Sequence, residues 1–326
     1  MLPIARFALS CLLLSLGALA PALAGEDTPH TLRADGLERS YLVHTPPGNA
    51  DSPHPLLLVF HGGGSVARGM PRFTHLDGIA DRAGMIVVYP QGVDRHWNDG
   101  RDSIKRKVDD VGFVRALLDA MERDFAVDRS RIYAAGISNG AIFVERLACD
   151  MSGRIAGIAT VAGTLARDYQ PQCQPQYPVS VVQFDGTADP IVPYAGGEVT
   201  SFGGHGEGGQ VLAVDATAAF WARMDGCAAA DAPVPLPPQA PLDPTRVFRS
   251  QWGPCRGGRA VVLYSIQEGG HTWPGGPQYL PKFIVGRASR QIDASETMVR
   301  FFLDHPRADS LARVMPTPPL PRLAGN

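Results

Sequence analysis

The chain has little net charge. Its 30 lysines and arginines against 32 aspartates and glutamates leave −2 over 326 residues. No basic excess marks a nucleic-acid binder, and no acidic tail is present. The one basic run, Lys105-Arg106-Lys107, is answered at once by Asp109 and Asp110 and reads as solvated surface. Cysteine is scarce, at five residues, with no Cys-x-x-Cys pair and no His-rich spacing, so no metal-binding pattern is present. Neither an internal repeat nor an interdomain linker breaks the chain, which favours a single globular domain. Long apolar runs are absent past the start. The one such run, "FALSCLLLSLGALAPALA", follows Arg6, contains Pro21 and ends in Ala22-Leu23-Ala24. A positive start, an apolar middle and a small-residue end read as an export signal over residues 1–24. The run is at the short limit for spanning a bilayer, and Pro21 sits inside it, so cleavage is expected in preference to anchorage. A lipid anchor on Cys11 is disfavoured by the residues before it, Leu9 and Ser10.

What is there fits a buried α/β core. Apolar residues make up 44% of the chain and charged residues 19%, enough to fill a core and too few charges for global disorder. Short Val- and Ile-rich runs recur at 55–62, 84–92, 131–138, 155–163, 178–186 and 259–266. Most close on glycine, as buried parallel strands do. Helical patterns lie between them at 73–83, 109–124, 139–149, 211–225 and 293–303. This alternation predicts a mostly parallel sheet with right-handed crossovers and helices on both faces. The stretch 37–46 alternates and is expected at an antiparallel edge. The Gly-rich residues 195–210 and the Pro- and Ala-rich residues 228–258 read as irregular. The domain is expected over 25–305, followed by a flexible Pro-rich tail over 306–326. Removal of the signal leaves Cys149, Cys173, Cys227 and Cys255. An even count in an exported chain suggests two disulfides. Of three possible pairings, short loop closure favours Cys149–Cys173 and Cys227–Cys255.

The stretch "RIYAAGISNGA" carries the chemistry. Gly136-x-Ser138-x-Gly140 is weak as a bare pattern, but here it follows an apolar strand and precedes a helix. That is the setting of a nucleophile elbow, in which a sharp turn lifts a serine hydroxyl above the sheet. A serine needs a base and an acid to orient that base, and in this chain order both follow the nucleophile. Of nine histidines only His205, His271 and His305 come after residue 138. His205 lies in a Gly-rich loop and His305 ends a helix. His271 follows the last strand, where the base is expected. The acid should follow the preceding strand, where Asp185 and Asp189 both qualify; position favours Asp189, and Asp185 could cap the turn. The developing oxyanion needs backbone N–H donors. One is expected from Asn139. The other is expected from the loop "HGGGS", with Gly63 ahead of Gly64.

The blocks "LLLVFHGGGS", "IVVYPQGVDRHWNDGR", "VDDVGFVRALLD", "VDRSRIYAAGISNGA", "GTADPIVPY" and "EGGHTWPGG" together resemble the secreted esterases grouped with polyhydroxybutyrate depolymerases and feruloyl esterases, from about residue 36 to about residue 303. The resemblance implies the α/β-hydrolase fold, with Ser138 as nucleophile, Asp189 as acid and His271 as base. It implies a polyester or a hydroxycinnamoyl ester of plant polysaccharide as substrate, and no metal or organic cofactor. The chain departs from that family at Asp185, where a histidine often stands. Within "WNDGR" (97–101), Trp97 is a candidate for the substrate site or for core packing, and Trp273 is a candidate wall beside the catalytic centre. No polymer-binding module is visible, which disfavours a depolymerase of crystalline polymer. A peptidase of the same fold would use the same triad, yet no second domain to gate peptides is seen. A non-catalytic binding protein would have no need of all three triad positions.

Overall fold

The structure, a computed structural model, describes residues 25–48, 52–200 and 208–307. The expected signal over 1–24, Cys11, His205 and nearly all of the expected tail lie outside the described residues.

Among the described residues ten strands form one sheet. Along the chain they are β1 (Glu26–Ala34), β2 (Leu37–Thr45), β3 (His54–Phe60), β4 (Ile86–Pro90), β5 (Val127–Ile137), β6 (Gly157–Val161), β7 (Ser180–Gly186), β10 (Val234–Pro235), β11 (Arg246–Trp252) and β12 (Val261–Gln267). A two-stranded piece, β8 (Gly197–Glu198) with β9 (Gln210–Val211), stands apart. The sheet order is β1-β2-β4-β3-β5-β6-β7-β12-β11-β10. The six strands from β4 to β12 run parallel, and the two at each end run antiparallel. The segment 37–46 is therefore not the edge: β1, which the sequence pattern did not reveal, pairs outside it. Part of 228–258, read as irregular, forms β11 and extends the other side. Both added strands carry many polar residues, so neither shows the apolar run of a buried strand.

Successive side chains of β3 go to opposite faces, and both faces are buried. Leu56, Leu58 and Phe60 join one apolar cluster, and Leu57 and Val59 join the other. On the first face lie α3 (Asp110–Asp124), α4 (Asn139–Asp150) and α5 (Val214–Met224); on the second lie α1 (Met70–Thr74), α2 (Leu76–Ala83) and α7 (Ala294–Asp304). The helix expected over 73–83 is broken at His75, which has φ 56° and separates α1 from α2. A short α6 (Lys282–Val285) sits in the loop after β12. Asp109 caps α3 through Gly112 N–H, and Asp293 caps α7 through Glu296 N–H. The disulfides are Cys149–Cys173 and Cys227–Cys255, the pairing with the short loops. At the end of the described chain Arg307 is buried, and its N–H bonds to Ser130 O at 2.7 Å. Among the described residues no helix is long and apolar enough to cross a membrane.

The order along the sheet matters for function. From β3 the chain moves one way to β4 and then crosses back to β5 on the other side of β3. Beyond the carboxyl ends of β3 and β5 the two following loops diverge and leave a crevice, the usual ligand site of such sheets.

Candidate active site

Strand β5 runs directly into α4 through Ser138. That residue has φ 58° and ψ −127°, a backbone conformation that side-chain-bearing residues rarely adopt and that costs about 1–3 kcal/mol. It stands at the N-cap position of α4, where serine ordinarily accepts a bond from the first turn. Here the side chain makes no capping bond. The flanking glycines are a steric necessity. A Cβ on Gly136 would lie 2.5 Å from Gly140 O, and one on Gly140 would lie 2.5 Å from both Phe60 O and His61 O.

The loop after β12 supplies His271 and the loop after β7 supplies Asp189. His271 Nδ1 lies 2.8 Å from Asp189 Oδ2. A carboxylate only accepts, so Nδ1 carries a proton and donates it to Asp189. The other oxygen of Asp189 accepts from Ile191 N–H at 2.7 Å and Val192 N–H at 2.9 Å. The imidazole's own backbone is clamped, with His271 N–H on Val285 O and Tyr279 Oη–H on His271 O. Asp185 takes no part in this. It ends β7, buried, with Oδ1 accepting from Gly163 N–H at 3.2 Å. Burial, and then the nearby Asp189 charge, push its pKa well above the usual carboxylate range. Of the two acids that position left open, Asp189 is the one that touches His271.

The loop after β3 is set by His61. Its Nδ1–H donates to Gly62 O at 2.8 Å, and its Nε2 accepts Gly92 N–H at 3.0 Å. Burial lowers its pKa to about 4, which keeps the ring neutral and able to accept. In a trans peptide the carbonyl and the next N–H point opposite ways, so holding Gly62 O fixes the direction of Gly63 N–H. Gly64 N–H is already bonded to Arg95 O at 2.9 Å, whereas Gly63 lines the cleft together with Ser138.

The "WNDGR" block braces Asn139, the residue after Ser138. Its side-chain Oδ1 accepts Trp97 N–H at 2.8 Å, and its Nδ2 donates to Trp97 O and to Asp99 Oδ2, at 3.0 and 2.7 Å. Asp99 is in turn gripped by Arg101 at 2.7 Å, and both side chains are buried. Trp97 stacks on Phe143 of α4 at 5.3 Å and donates Nε1–H to His61 O. The expectation that Trp97 and Trp273 touch substrate is corrected here. Both are 0% exposed, and neither lines the cleft over Ser138. Each indole N–H is satisfied internally, that of Trp273 by Ser295 Oγ at 2.9 Å, so both rings pack as core.

The cleft has a volume of about 190 Å³ and brings together Gly63, Ser138, Asn139 and His271. Its walls include residues the sequence did not single out: Arg101, Ile142, Ile191, Val192, Leu280 and Val285. Arg101 lies within a motif already noticed, and Ile191 and Val192 follow Asp189 directly. The others are ordinary apolar residues with no signal beyond burial. A larger hollow, about 590 Å³, lies around Pro241, Pro244 and Arg290 and contains none of the paired groups above.

Similarity to known proteins agrees with this geometry. The family model described as esterase PHB depolymerase matches residues 39–176. NocK of Nocardia uniformis subsp. tsuyamanensis, a protein assigned to the esterases, is 31% identical over 87% of this chain and 84% of its own length. Feruloyl esterase B of Piromyces equi is 29% identical over 72% of this chain, which spans 42% of that protein. The structure of acetyl xylan esterase from Aspergillus awamori superposes with a TM-score of 0.56, at 12% identity, over 85% of this chain and 99% of the other, and so shares the fold. The chain therefore belongs to the esterase PHB depolymerase family and is a carboxylesterase of the α/β-hydrolase fold.

Proposed function

We propose that the chain is an exported serine esterase in which Ser138 is the nucleophile, His271 the base, Asp189 the group that orients it, and the N–H groups of Gly63 and Asn139 the oxyanion donors. His271 Nε2 takes the hydroxyl proton as Ser138 Oγ attacks the ester carbonyl. The two N–H groups receive the charge that develops on oxygen. Collapse expels the alcohol, which takes the proton from His271. Water then attacks the acyl-enzyme with the same base, and releases the acid and free Ser138. The observation that carries this reading is the paired His271–Asp189 beside an uncapped serine held at φ 58°.

The substrate we favour is an aliphatic polyester. Ile142, Ile191, Val192, Leu280 and Val285 give the cleft an apolar side, with Arg101, His96 and Thr200 also in its lining. The half-exposed Tyr279 lines the cleft, and α6, which contributes Val285 to the wall, carries Phe283 at 88% exposed. An exposed aromatic beside a small apolar cleft suits a long chain that lies across the surface while one ester unit enters. A second reading, a hydroxycinnamoyl ester of polysaccharide, is supported by the similarity to feruloyl esterase B. Export is supported by the apolar run before Gly25 and by two disulfides. A hydrolysis panel of p-nitrophenyl butyrate, methyl ferulate and a polyhydroxybutyrate suspension separates the substrates. Clearing of the suspension without turnover of methyl ferulate is expected, and the converse would overturn the polyester assignment.

A further inference from the structure

Far from the cleft, Gly25 sits in a narrow vault between β2 and α2. Its backbone nitrogen is 3.1 Å from Asp81 Oδ2. A Cβ on this residue would lie 2.5 Å from Asp81 Oδ1 and 2.6 Å from His44 Nε2, and closer still to Thr45 O, so no side chain fits. The surroundings are acidic. His44, almost wholly buried, has Asp27 Oδ1 at 2.7 Å on Nδ1 and Asp81 Oδ1 at 2.9 Å on Nε2, with Asp77 at 3.9 Å. Tyr89 of β4 donates to Asp77, and Arg82, next to Asp81 in the chain, donates to Gly78 O and Glu296. Even with His44 protonated, among the described residues three carboxylates are set against this one imidazole. The group missing from the vault is a second positive charge, and the atom placed to carry it is the nitrogen of Gly25.

A separate feature of the sequence ends at the same residue. Ala22-Leu23-Ala24, the small-residue close of the apolar run, stops immediately before Gly25. We propose that hydrolysis of the Ala24–Gly25 bond by an export signal peptidase creates the group this vault is built for: the freed α-ammonium of Gly25 pairs with Asp81 and ties β1 to α2. Water supplies the hydroxyl of the new Ala24 carboxylate and a proton of the new amine. Before cleavage, residue 25 offers one neutral amide donor. Afterwards it offers a cation with three, so a bond with only the acceptor charged becomes an ion pair with both partners charged. Processing therefore tightens the folded state that the precursor, still carrying its signal, holds less firmly.

Two measurements test this. The intact mass and N-terminal sequence of the protein exported by a secreting host should begin at Gly25. Three forms of the folded chain are then compared by thermal denaturation: one starting at Gly25, one starting at Ala24, and one starting at Gly25 with the amine acetylated. The free Gly25 form is expected to melt about 2–4 °C above the other two, with the gap closing in Asp81→Asn. An export product beginning elsewhere, equal melting of the three forms, or a gap that persists unchanged in Asp81→Asn would each overturn the proposal. The acetylation comparison stands by itself if Asp81→Asn fails to fold.

Discussion

Ser138, the proposed nucleophile, is held in a strained backbone conformation. Its φ of 58° suits glycine and strains any residue with a Cβ. Ser138→Ala keeps the strain and removes the hydroxyl, whereas Ser138→Gly removes both. Thermal denaturation of the two inactive variants is expected to show the glycine form more stable by about 1 kcal/mol. The two aspartates give a sharper functional contrast. Asp189→Asn keeps the shape but no longer holds the His271 tautomer, so kcat is expected to fall by about 10³–10⁴-fold with KM little changed. Asp185→Asn, at a residue with no bond to His271, is expected to keep kcat within about tenfold, a small change in barrier. Steady-state kinetics on p-nitrophenyl butyrate read both. At this scale the placement of the candidates was legible: the sharp turn at Ser138 and the pairing of His271 with Asp189 follow from residue types expected at particular strand ends. Trp97 and Trp273 were not legible: an indole beside catalytic residues is equally suited to wall or core, and only packing decides.

At the scale of elements, legibility followed burial. The six parallel strands are closed on both faces and read as uniform apolar runs, whereas β1 and β11 at the flanks have no such requirement and went unseen. The crevice between the loops after β3 and β5 follows from strand order, yet its brace does not. Nothing in "WNDGR" reveals that Asp99 reaches Asn139 of α4, because that contact spans 40 residues of chain. The disulfides were legible from loop length alone. Cys149–Cys173 spans 24 residues and anchors the end of the helix that begins at Ser138. The double variant Cys149→Ser/Cys173→Ser is expected to lose about 2–4 kcal/mol by denaturant titration, because a closed loop of that length restricts the unfolded chain.

For the whole molecule, the core carries a liability that depends on pH. Glu145 of α4 is fully buried. One carboxylate oxygen accepts the Nε1–H of Trp221 on α5, and the other has no partner among the described residues. Burial pushes its pKa from 4.5 up to about 8. A raised carboxyl pKa means that, as pH climbs above 4.5, the unfolded chain releases a proton the folded chain keeps. Stability is then lost with rising pH, at up to about 1.4 kcal/mol per unit until pH nears 8. Glu145→Gln has no such proton. Its melting temperature relative to the parent is expected to rise between pH 5 and pH 8, and a constant difference across that range would contradict the buried neutral acid.

The most direct measurement is mass spectrometry of the protein after exposure to a fluorophosphonate, a reagent that traps serine nucleophiles in the act of attack. One adduct per chain is expected, on the peptide that contains Ser138, and it should vanish in Ser138→Ala together with ester hydrolysis. An adduct on another residue, or hydrolysis by Ser138→Ala at the parent rate, would contradict a covalent mechanism at Ser138.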